Sequence, residues 1–313
     1  MRNNTVRGIF YLALGVFVFS LQDAIIKKVS GSYALTEVVF IRSVVAMPIL
    51  LAMVQREVGW RAIFSPQLWP MAMRAAILYL SYIAYYMAFP ALPLADAVAL
   101  YFTVPLFVTA LAGPFLHEPS DRRVWLAVLV GFAGVMVMLQ PSRRIFEPAA
   151  LLSLLAAATY GLSMLMARKL GTSESATVMV FYQNVMFFSG SMATALALWG
   201  LGIVHAAHPS LSFLVRPWVW PAAYDALLMC TCGIVSTAGM MLLTSAYHVA
   251  KASVVTPFEY TGIMWAPLWG FLFFDEIPRL TTLAGAALIV GAGLVALHTT
   301  RTKNMTVQST TNR

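Results

Sequence analysis

The sequence predicts an all-α integral membrane protein with ten transmembrane helices, arranged as two inverted five-helix repeats. Three observations lead to this prediction. The chain is 60% hydrophobic and only 10% charged, with a mean hydropathy of +0.80, whereas about a quarter of the residues in soluble domains are charged. Ten apolar stretches have about the length that spans a bilayer. The last five of these stretches repeat the pattern of the first five.

A membrane-crossing helix needs about 20 mostly apolar residues, because every backbone polar group must be satisfied inside the segment. Arg2 and Arg7 precede the first span, but no small-residue cleavage pattern follows it, which favours an uncleaved helix over a signal peptide. The predicted spans are Gly8–Lys27, Ala34–Val54, Trp69–Phe89, Leu94–Leu116, Val124–Gln140, Ala149–Ala167, Thr177–Ile203, Trp220–Tyr247, Ala250–Phe274 and Thr281–His298.

The basic residues predict the orientation, since Lys and Arg are retained on the cytoplasmic side of a membrane. An even number of spans puts both termini on one side. Placing that side in the cytoplasm leaves about twice as many Lys and Arg residues inside as outside. We therefore expect an inner-membrane protein with both termini cytoplasmic. The net charge of +8 is scattered over short loops, so we expect a lipid bilayer and no nucleic acid as partner.

An internal repeat defines the domain organisation. Shifted by 141 residues, the segment Ala24–Ser43 falls on Leu165–Asn184, and at a shift near 157 the segment Leu116–Val135 falls on Phe274–Leu294. We assign the first repeat to 8–141, the second to 149–299 and a cytoplasmic tail to 300–313. Five spans per unit is an odd number, so the second copy is inverted relative to the first. Such an architecture places a ligand site near the bilayer midplane, between the halves.

Three passages carry a resemblance to a known family: "KASVVTPFEYTGIMWAPLWGFLFFDEIP" near the end of the chain, its counterpart "ADAVALYFTVPLFVTALAGPFLHEP", and the opening "SLQDAIIKKVS" with "EVVFIRS". The chain resembles the EamA-like family of the drug/metabolite transporter superfamily over essentially all of its spans. The resemblance implies a ten-helix transporter of the inner membrane, with a central cavity lined by spans 1, 3, 4, 6, 8 and 9. It also implies a small-molecule substrate, since relatives handle amino acids, riboflavin, nucleotide-like compounds, opine-type metallophores and toxic organics.

Charged residues inside the spans are the first candidates for function, because each is costly in a bilayer. Asp23 and Arg42 lie equally far from the middle of the turn between the first two spans, as do Lys28 and Glu37. One interpretation is a nested set of ion pairs that lets this hairpin insert. The other is substrate contact by Asp23 and Arg42, with Gln22 beside them. The second repeat has Met164 and Gln183 at the equivalent positions, and this asymmetry keeps the functional interpretation open.

Glu259 is the second candidate. It lies nine residues into the ninth span, about 13 Å deep at 1.5 Å per residue, which is near the bilayer midplane. Pro257 removes a backbone donor just before it and is expected to distort the helix towards a cavity. Glu259 can take up a proton or meet a cationic group of a substrate. The alternative is a glutamate that only packs the ninth span on its neighbour.

Tyrosines and small polar residues on the expected cavity spans form the third group of candidates. They predict an amphipathic, partly aromatic or zwitterionic substrate, although a stripe of this kind also occurs in ordinary packed cores. The candidate lining residues are Tyr82 and Tyr86 on the third span, Tyr101 on the fourth, Tyr160 and Ser163 on the sixth, and Tyr260 and Trp265 on the ninth.

Several other features predict packing or an absence. Glycines such as Gly131 and Gly134 permit close helix approach, within the bundle or in a homodimer. The sequence has no phosphate loop, nucleophile elbow or metal-ligand spacing, so we expect no cofactor, no metal and no enzymatic activity. Cys230 and Cys232 lie in one span on different faces and cannot form a disulfide.

The expected function is that of a secondary transporter, an exporter of a small amphipathic metabolite such as an amino acid or an amino-acid-derived opine or metallophore. Uptake of a vitamin such as riboflavin is the alternative, because nothing in the sequence fixes direction. A membrane-embedded enzyme or sensor is a remote second class, against which the lack of a catalytic constellation argues. The sequence contains no nucleotide-binding domain, so the energy is expected to come from an ion or substrate gradient.

Overall fold

The computed structural model describes residues 2–92, 94–116, 122–139, 148–171 and 173–274, together with short pieces between 280 and 291. The regular structure of these residues is helical. Two 3-10 helices, Trp60–Phe64 and Thr256–Met264, interrupt the α-helices. The α-helices are α1 (Arg2–Val29), α2 (Leu35–Glu57), α3 (Leu68–Met87), α4 (Leu94–Tyr101), α5 (Val104–Leu116), α6 (Arg122–Leu139), α7 (Pro148–Leu170), α8 (Ala176–Gly200), α9 (Pro209–Val215), α10 (Ala223–Val249), α11 (Ala252–Val255) and α12 (Trp265–Phe274).

The helices identify a membrane protein, but they do not establish ten continuous spans. Within the described residues, four helices are long and apolar enough to cross a membrane by length and composition, namely α1 from Asn4, α2, α7 and α10. The 20-residue α3 and the 25-residue α8 coincide with the expected third and seventh spans. The expected tenth span, 281–298, lies mostly outside the described residues.

The expected fourth and ninth spans are both broken near their middles. In the fourth span α4 ends at Tyr101 and α5 begins at Val104, because Pro105 has no N–H to continue the hydrogen-bond ladder. In the ninth span, the 3-10 helix Thr256–Met264 follows α11 and has Pro257 in its first turn. The distortion expected at Pro257 is therefore confirmed, whereas the break in the fourth span was not predicted. Broken helices at equivalent positions of two repeats are typical of transporter binding sites.

Helices pack mainly against partners from the other repeat. The helix α1 packs on α10, α2 on α8 and α3 on α7, and α10 also contacts α2. The helix α10 therefore lies between α1 and α2. These pairings join spans 1 and 8, 2 and 7, and 3 and 6. A two-fold relation between the repeats maps spans 1, 2 and 3 onto spans 6, 7 and 8. It therefore exchanges the first and third pairings and preserves the second. The packing supports the inverted-repeat architecture.

Glycines permit the close approach of these helices. A Cβ atom added at Gly239 on α10 would lie 2.5 Å from the Phe19 ring on α1, and one at Gly233 would lie 2.6 Å from the carbonyl oxygen of Arg42 on α2. A Cβ atom at Gly131 on α6 would lie 2.6 Å from the ring of Tyr260. The packing role expected for Gly131 is thus confirmed within the chain.

Hydrogen bonds at the two ends of α2 define opposite faces of the bundle. At its first end, Tyr33 donates to Oδ2 of Asp225 at 2.7 Å, and Oε2 of Glu37 accepts from the Val219 N–H at 3.2 Å. At its second end, Glu57 accepts from Thr177. The loops thus alternate between faces as an inverted repeat requires, while the absolute orientation stays a prediction. The expected ion pair of Lys28 with Glu37 is wrong: the Lys28 Nζ lies over the Tyr224 ring, 5.7 Å from its centroid.

Candidate functional site

A cavity of about 100 Å³ lies among α1, α3, α4, α7, α10, α12 and the 3-10 helix Thr256–Met264. These elements belong to spans 1, 3, 4, 6, 8 and 9, so the cavity spans implied by the family resemblance are confirmed. The lining is mostly apolar and aromatic. It consists of Val16, Phe19, Ser20, Asp23, Ala24, Leu78, Ser81, Tyr82, Tyr85, Tyr86, Val98, Tyr101, Phe102, Tyr160, Met240, Leu243, Glu259, Gly262 and Trp269.

Asp23 contributes one of two carboxylates to this cavity. Its Oδ1 accepts a 2.6 Å hydrogen bond from the Tyr86 hydroxyl, and its Oδ2 accepts a longer one of 3.4 Å from Tyr85. Both tyrosines come from α3. The two donors that orient this carboxylate are therefore neutral hydroxyls.

The ion pair expected between Asp23 and Arg42 is not formed. The Arg42 guanidinium instead lies against a pair of rings, 4.4 Å from the centroid of Tyr82 and 4.8 Å from that of Phe187. The reason is that α10 separates α1 from α2, so residues at equal distances from the turn do not face each other.

Glu259 contributes the second carboxylate, from the 3-10 helix that interrupts the ninth span. Its side chain is 4% exposed. The Tyr247 hydroxyl donates to Oε1 of Glu259 at 2.6 Å, and the hydroxyl of Tyr160 also faces the carboxylate. The same Tyr247 hydroxyl lies 3.3 Å from the Thr256 hydroxyl. The break in the helix thus brings Glu259 to the cavity wall, with tyrosines as its hydrogen-bond donors.

Tyrosine rings form a continuous row between the two carboxylates. The rings of Tyr85 and Tyr101 lie 4.3 Å apart between centroids, and those of Tyr101 and Tyr160 lie 5.6 Å apart. Tyr85 contacts Asp23 at one end of the row, and Tyr160 faces Glu259 at the other. The lining named above includes both carboxylates and no Lys, Arg or His side chain. Such a surface is suited to a cation.

Most of the candidates from the sequence lie at or next to this cavity. Tyr82, Tyr86, Tyr101 and Tyr160 line it together with Asp23 and Glu259. Gln22 lies one layer behind, fully buried, and its Nε2 donates to the Tyr86 hydroxyl at 2.9 Å.

Three candidates point elsewhere. The Ser163 hydroxyl donates to the carbonyl oxygen of Arg74 at 3.3 Å, and the Tyr260 hydroxyl donates to that of Val128 on α6 at 3.1 Å. The Trp265 ring packs against Phe17, with 4.5 Å between centroids. Each of these side chains therefore fills a helix contact, and the cavity lining that we describe does not include it.

The candidates from the sequence do not include several polar or aromatic lining residues, among them Tyr85, Ser20 and Trp269. Trp269 lies one helical turn after Trp265, and its Nε1 donates to the Ser20 hydroxyl at 2.7 Å. Tyr82 and Tyr86 are four residues apart and lie on one face of α3, whereas the helical spacing places Tyr85 beside that face. The structure has a tyrosine face wide enough to include all three.

Comparison with known proteins matches the sequence profile described as "EamA-like transporter family" to residues 6–140 and again to residues 147–297. The chain belongs to this family. Two family units in tandem thus account for the repeat, and the family places the chain among multi-pass membrane transporters of small molecules.

Among curated relatives, this EamA-like protein is 30% identical to the pseudopaline exporter CntI of Pseudomonas aeruginosa over 297 residues, covering 94% of this chain and 96% of the relative. It is 24% identical to the S-adenosylmethionine uptake transporter of Rickettsia prowazekii over 293 residues, with coverages of 94% and 93%. It is 26% identical to the riboflavin transporter of Vibrio cholerae over 308 residues, with coverages of 93% and 92%. The relatives thus include both exporters and uptake transporters.

A solved crystal structure superposes on this EamA-like chain with a TM-score of 0.73 at 17% sequence identity. The superposition covers 96% of this chain and 98% of the other. At this level of identity the likeness shows the fold alone.

Arg74 on α3 has a structural role in this transporter. Its side chain is fully buried. Its Nε donates to the carbonyl oxygen of Ser163 at 3.2 Å, Nη1 to that of Met179 at 3.3 Å, and Nη2 to the Thr244 hydroxyl at 3.3 Å. Arg74 therefore connects α3 of the first repeat to α7, α8 and α10 of the second.

Neither cysteine chemistry nor a metal centre is visible in the described part of the EamA-like chain. Cys230 is partly exposed and Cys232 is buried, and both are free thiols. The described residues contain no group of three or more His, Cys, Asp or Glu side chains placed to hold a metal ion.

Proposed function

We propose that this chain is a secondary transporter of the inner membrane that exports a small amphipathic metabolite with a cationic group by alternating access. An amino acid or an amino-acid-derived opine or metallophore fits this description. The observation that carries the proposal is the pair of carboxylates, Asp23 and Glu259, in one buried cavity whose other polar groups are mainly tyrosine hydroxyls.

The chemistry of the cavity supports a cationic substrate group. A carboxylate held only by neutral donors in a low-dielectric site attracts a cation strongly. Tyrosine rings attract the same cation through their faces and offer apolar area to the rest of the molecule. A substrate amine or sulfonium can therefore replace protons on these carboxylates, which would couple transport to a proton gradient.

The proposed direction of transport rests on similarity to relatives. The similarity to the pseudopaline exporter extends over nearly the whole chain and supports export. Uptake of a vitamin such as riboflavin is the second candidate, supported by the similarity to the riboflavin transporter and by the ring-lined cavity. We place an enzymatic or sensory function last, because the relatives named are transporters.

Comparative metabolite analysis tests this proposal. Cells lacking the gene would express either the wild-type chain or the variant Asp23→Asn/Glu259→Gln, which keeps size and hydrogen bonding while it removes both charges. We expect a cationic or zwitterionic metabolite to accumulate in the medium of wild-type cells and inside cells that express the variant. The opposite distribution would identify an importer. Identical metabolites in both strains, at equal protein levels, would overturn the proposal.

A further inference from the structure

Arg42 on α2 is a buried cation, and the part of the chain that the structure describes gives it no anionic partner. Its side chain is only 3% exposed, and its Nε and Nη2 donate no hydrogen bond. The Cζ atom of the guanidinium lies 4.4 Å from the centroid of the Tyr82 ring and 4.8 Å from that of the Phe187 ring, and these two rings are in contact with each other, 5.1 Å apart between centroids. Ring faces interact with the charge but leave the in-plane N–H groups unused.

The same fold satisfies its other buried arginine. Each of the Arg74 nitrogens Nε, Nη1 and Nη2 donates to an oxygen atom of a neighbouring helix. Arg74 thus has the environment expected of a structural arginine, since unsatisfied buried donors are costly. Arg42 lacks this environment, although both side chains are equally deep in the protein. An unsatisfied buried polar group in a native protein calls for an explanation, and a functional role is one of those known.

Tyr82 connects Arg42 to the cavity. Its ring lines the cavity wall and also contacts the guanidinium. The Tyr82 hydroxyl is buried and faces the Tyr86 side chain. The unused donors Nε and Nη2 of Arg42 therefore belong to a side chain that contacts a ring of the cavity wall. The Tyr82 ring separates the guanidinium from the cavity.

From this geometry we infer that Arg42 and Tyr82 form an anion subsite that binds the carboxylate of a zwitterionic substrate when the Tyr82 ring moves aside. A guanidinium binds a carboxylate through two parallel hydrogen bonds, and the hydroxyl supplies a third. This inference rests on the proposed function and makes it more specific. The cationic group of the substrate would bind at Asp23 or Glu259, and its carboxylate at Arg42.

Three probes with the same ring test the subsite on the purified full-length protein: L-phenylalanine carries both charges, 2-phenylethylamine only the cation, and 3-phenylpropionate only the anion. We expect the wild type to bind L-phenylalanine at least about tenfold more tightly than 2-phenylethylamine in calorimetric titrations, the gain typical of a charged hydrogen bond. Arg42→Gln should abolish this preference and the binding of 3-phenylpropionate. Arg42→Lys, which retains charge without the fork, should restore only part of both.

The matched control is Tyr79→Phe. Tyr79 lies on α3 like Tyr82, but its hydroxyl contacts Thr194, which is not among the lining residues named above. This variant should bind all three probes like the wild type. Asp23→Asn should weaken both amines and leave 3-phenylpropionate unchanged. If 3-phenylpropionate binds through Arg42 while neither amine binds, the cationic part of the proposed function fails and the anion subsite stands.

Two results would overturn the subsite: no probe that carries a carboxylate binds, or Arg42→Gln retains the wild-type preference for L-phenylalanine. Folding is checked separately by thermal unfolding of each variant. Arg42→Gln should unfold at or above the wild-type temperature, because it removes donors that have no partner in the empty protein.

Discussion

The hydroxyl of Tyr247, at the end of α10, donates a 2.6 Å hydrogen bond to Oε1 of Glu259 in the 3-10 helix. This bond links the eighth and ninth spans at the cavity wall. If a proton or a substrate cation binds Glu259 as we propose, it would alter this contact between two spans.

We expect Glu259→Gln to fold normally but to lose most transport and its dependence on pH, because glutamine cannot exchange a proton. Flux into proteoliposomes, measured over a range of pH values, gives the readout. Glu259→Asp should retain partial activity. The control is Glu57→Gln at the exposed end of α2, which should behave like the wild type. Wild-type flux and pH profile in Glu259→Gln would show that this residue only packs the helix.

Asp23→Asn should be produced at wild-type levels, because the asparagine oxygen can still accept a hydrogen bond from Tyr86. An Asp23–Arg42 ion pair would instead leave a buried charge unpaired in the single variant, at a cost of about 3–5 kcal/mol. Detergent-extracted protein levels and unfolding temperatures distinguish the two cases. If the level of Asp23→Asn is low and recovers in Asp23→Asn/Arg42→Gln, the ion-pair interpretation of these two residues is correct.

Arg74→Gln should lower the free energy of unfolding by about 3 kcal/mol or more, since several hydrogen bonds from a charged donor are lost at buried oxygens. The matched variant is Arg42→Gln, which changes the same residue type at similar depth. Its effect on stability should be small or favourable. Chemical unfolding of both proteins in one detergent provides the comparison, and equal destabilisation would contradict the different roles assigned to the two arginines.

Gly262→Ala should impair transport and stability, because a Cβ atom there would lie 2.7 Å from Val16 and 2.8 Å from the Phe102 ring. Overpacking of this kind costs about 1–3 kcal/mol. Gly113→Ala is the control, since its Cβ atom would meet no atom within 4 Å. Flux and unfolding temperature are measured for both variants. A Gly262→Ala protein that matches Gly113→Ala in both would show that the two broken spans separate readily.

Both termini should be cytoplasmic and the turn at residues 30–34 periplasmic. A reporter active only in the cytoplasm, fused after Arg313, should therefore be active. Cysteine substitution at Gly31, where a side chain would meet no atom within 4 Å, should be labelled by a membrane-impermeant thiol reagent added to intact cells. Labelling only after cell lysis would show that the turn is cytoplasmic and that the protein has the opposite orientation.

Hydropathy and the internal repeat were sufficient to predict the helical class, the two family repeats and the four long apolar helices. They also located Glu259, because one proline and one carboxylate in an apolar segment are unusual whatever packs around them. The same reasoning anticipated Tyr82, Tyr86, Tyr101 and Tyr160 as lining residues. These successes depend on properties of single segments.

The partners of Asp23, Arg42 and Arg74 could not be predicted in the same way. Counting from a turn gives the depth of a residue in the membrane but not its direction, and α10 lies between the two helices of the expected hairpin. Arg74 is close enough to a span end to suggest interface exposure, yet its surroundings come from three distant helices. The partners of these three residues depend on contacts between the repeats. Such contacts cannot be inferred from the sequence of a single segment.

The bonds of Arg74 have a consequence for movement. The pairs α1–α10 and α3–α7 both line the cavity, and each pair contains one helix from either repeat. Under the alternating access that we propose, units built from these pairs would each contain helices of both repeats. The bond from Arg74 to Ser163 on α7 lies within the α3–α7 pair, whereas its bond to Thr244 on α10 joins the two pairs. If the two pairs move apart, the Arg74 guanidinium must release the Thr244 hydroxyl, while it can keep its hydrogen bond to the carbonyl oxygen of Ser163.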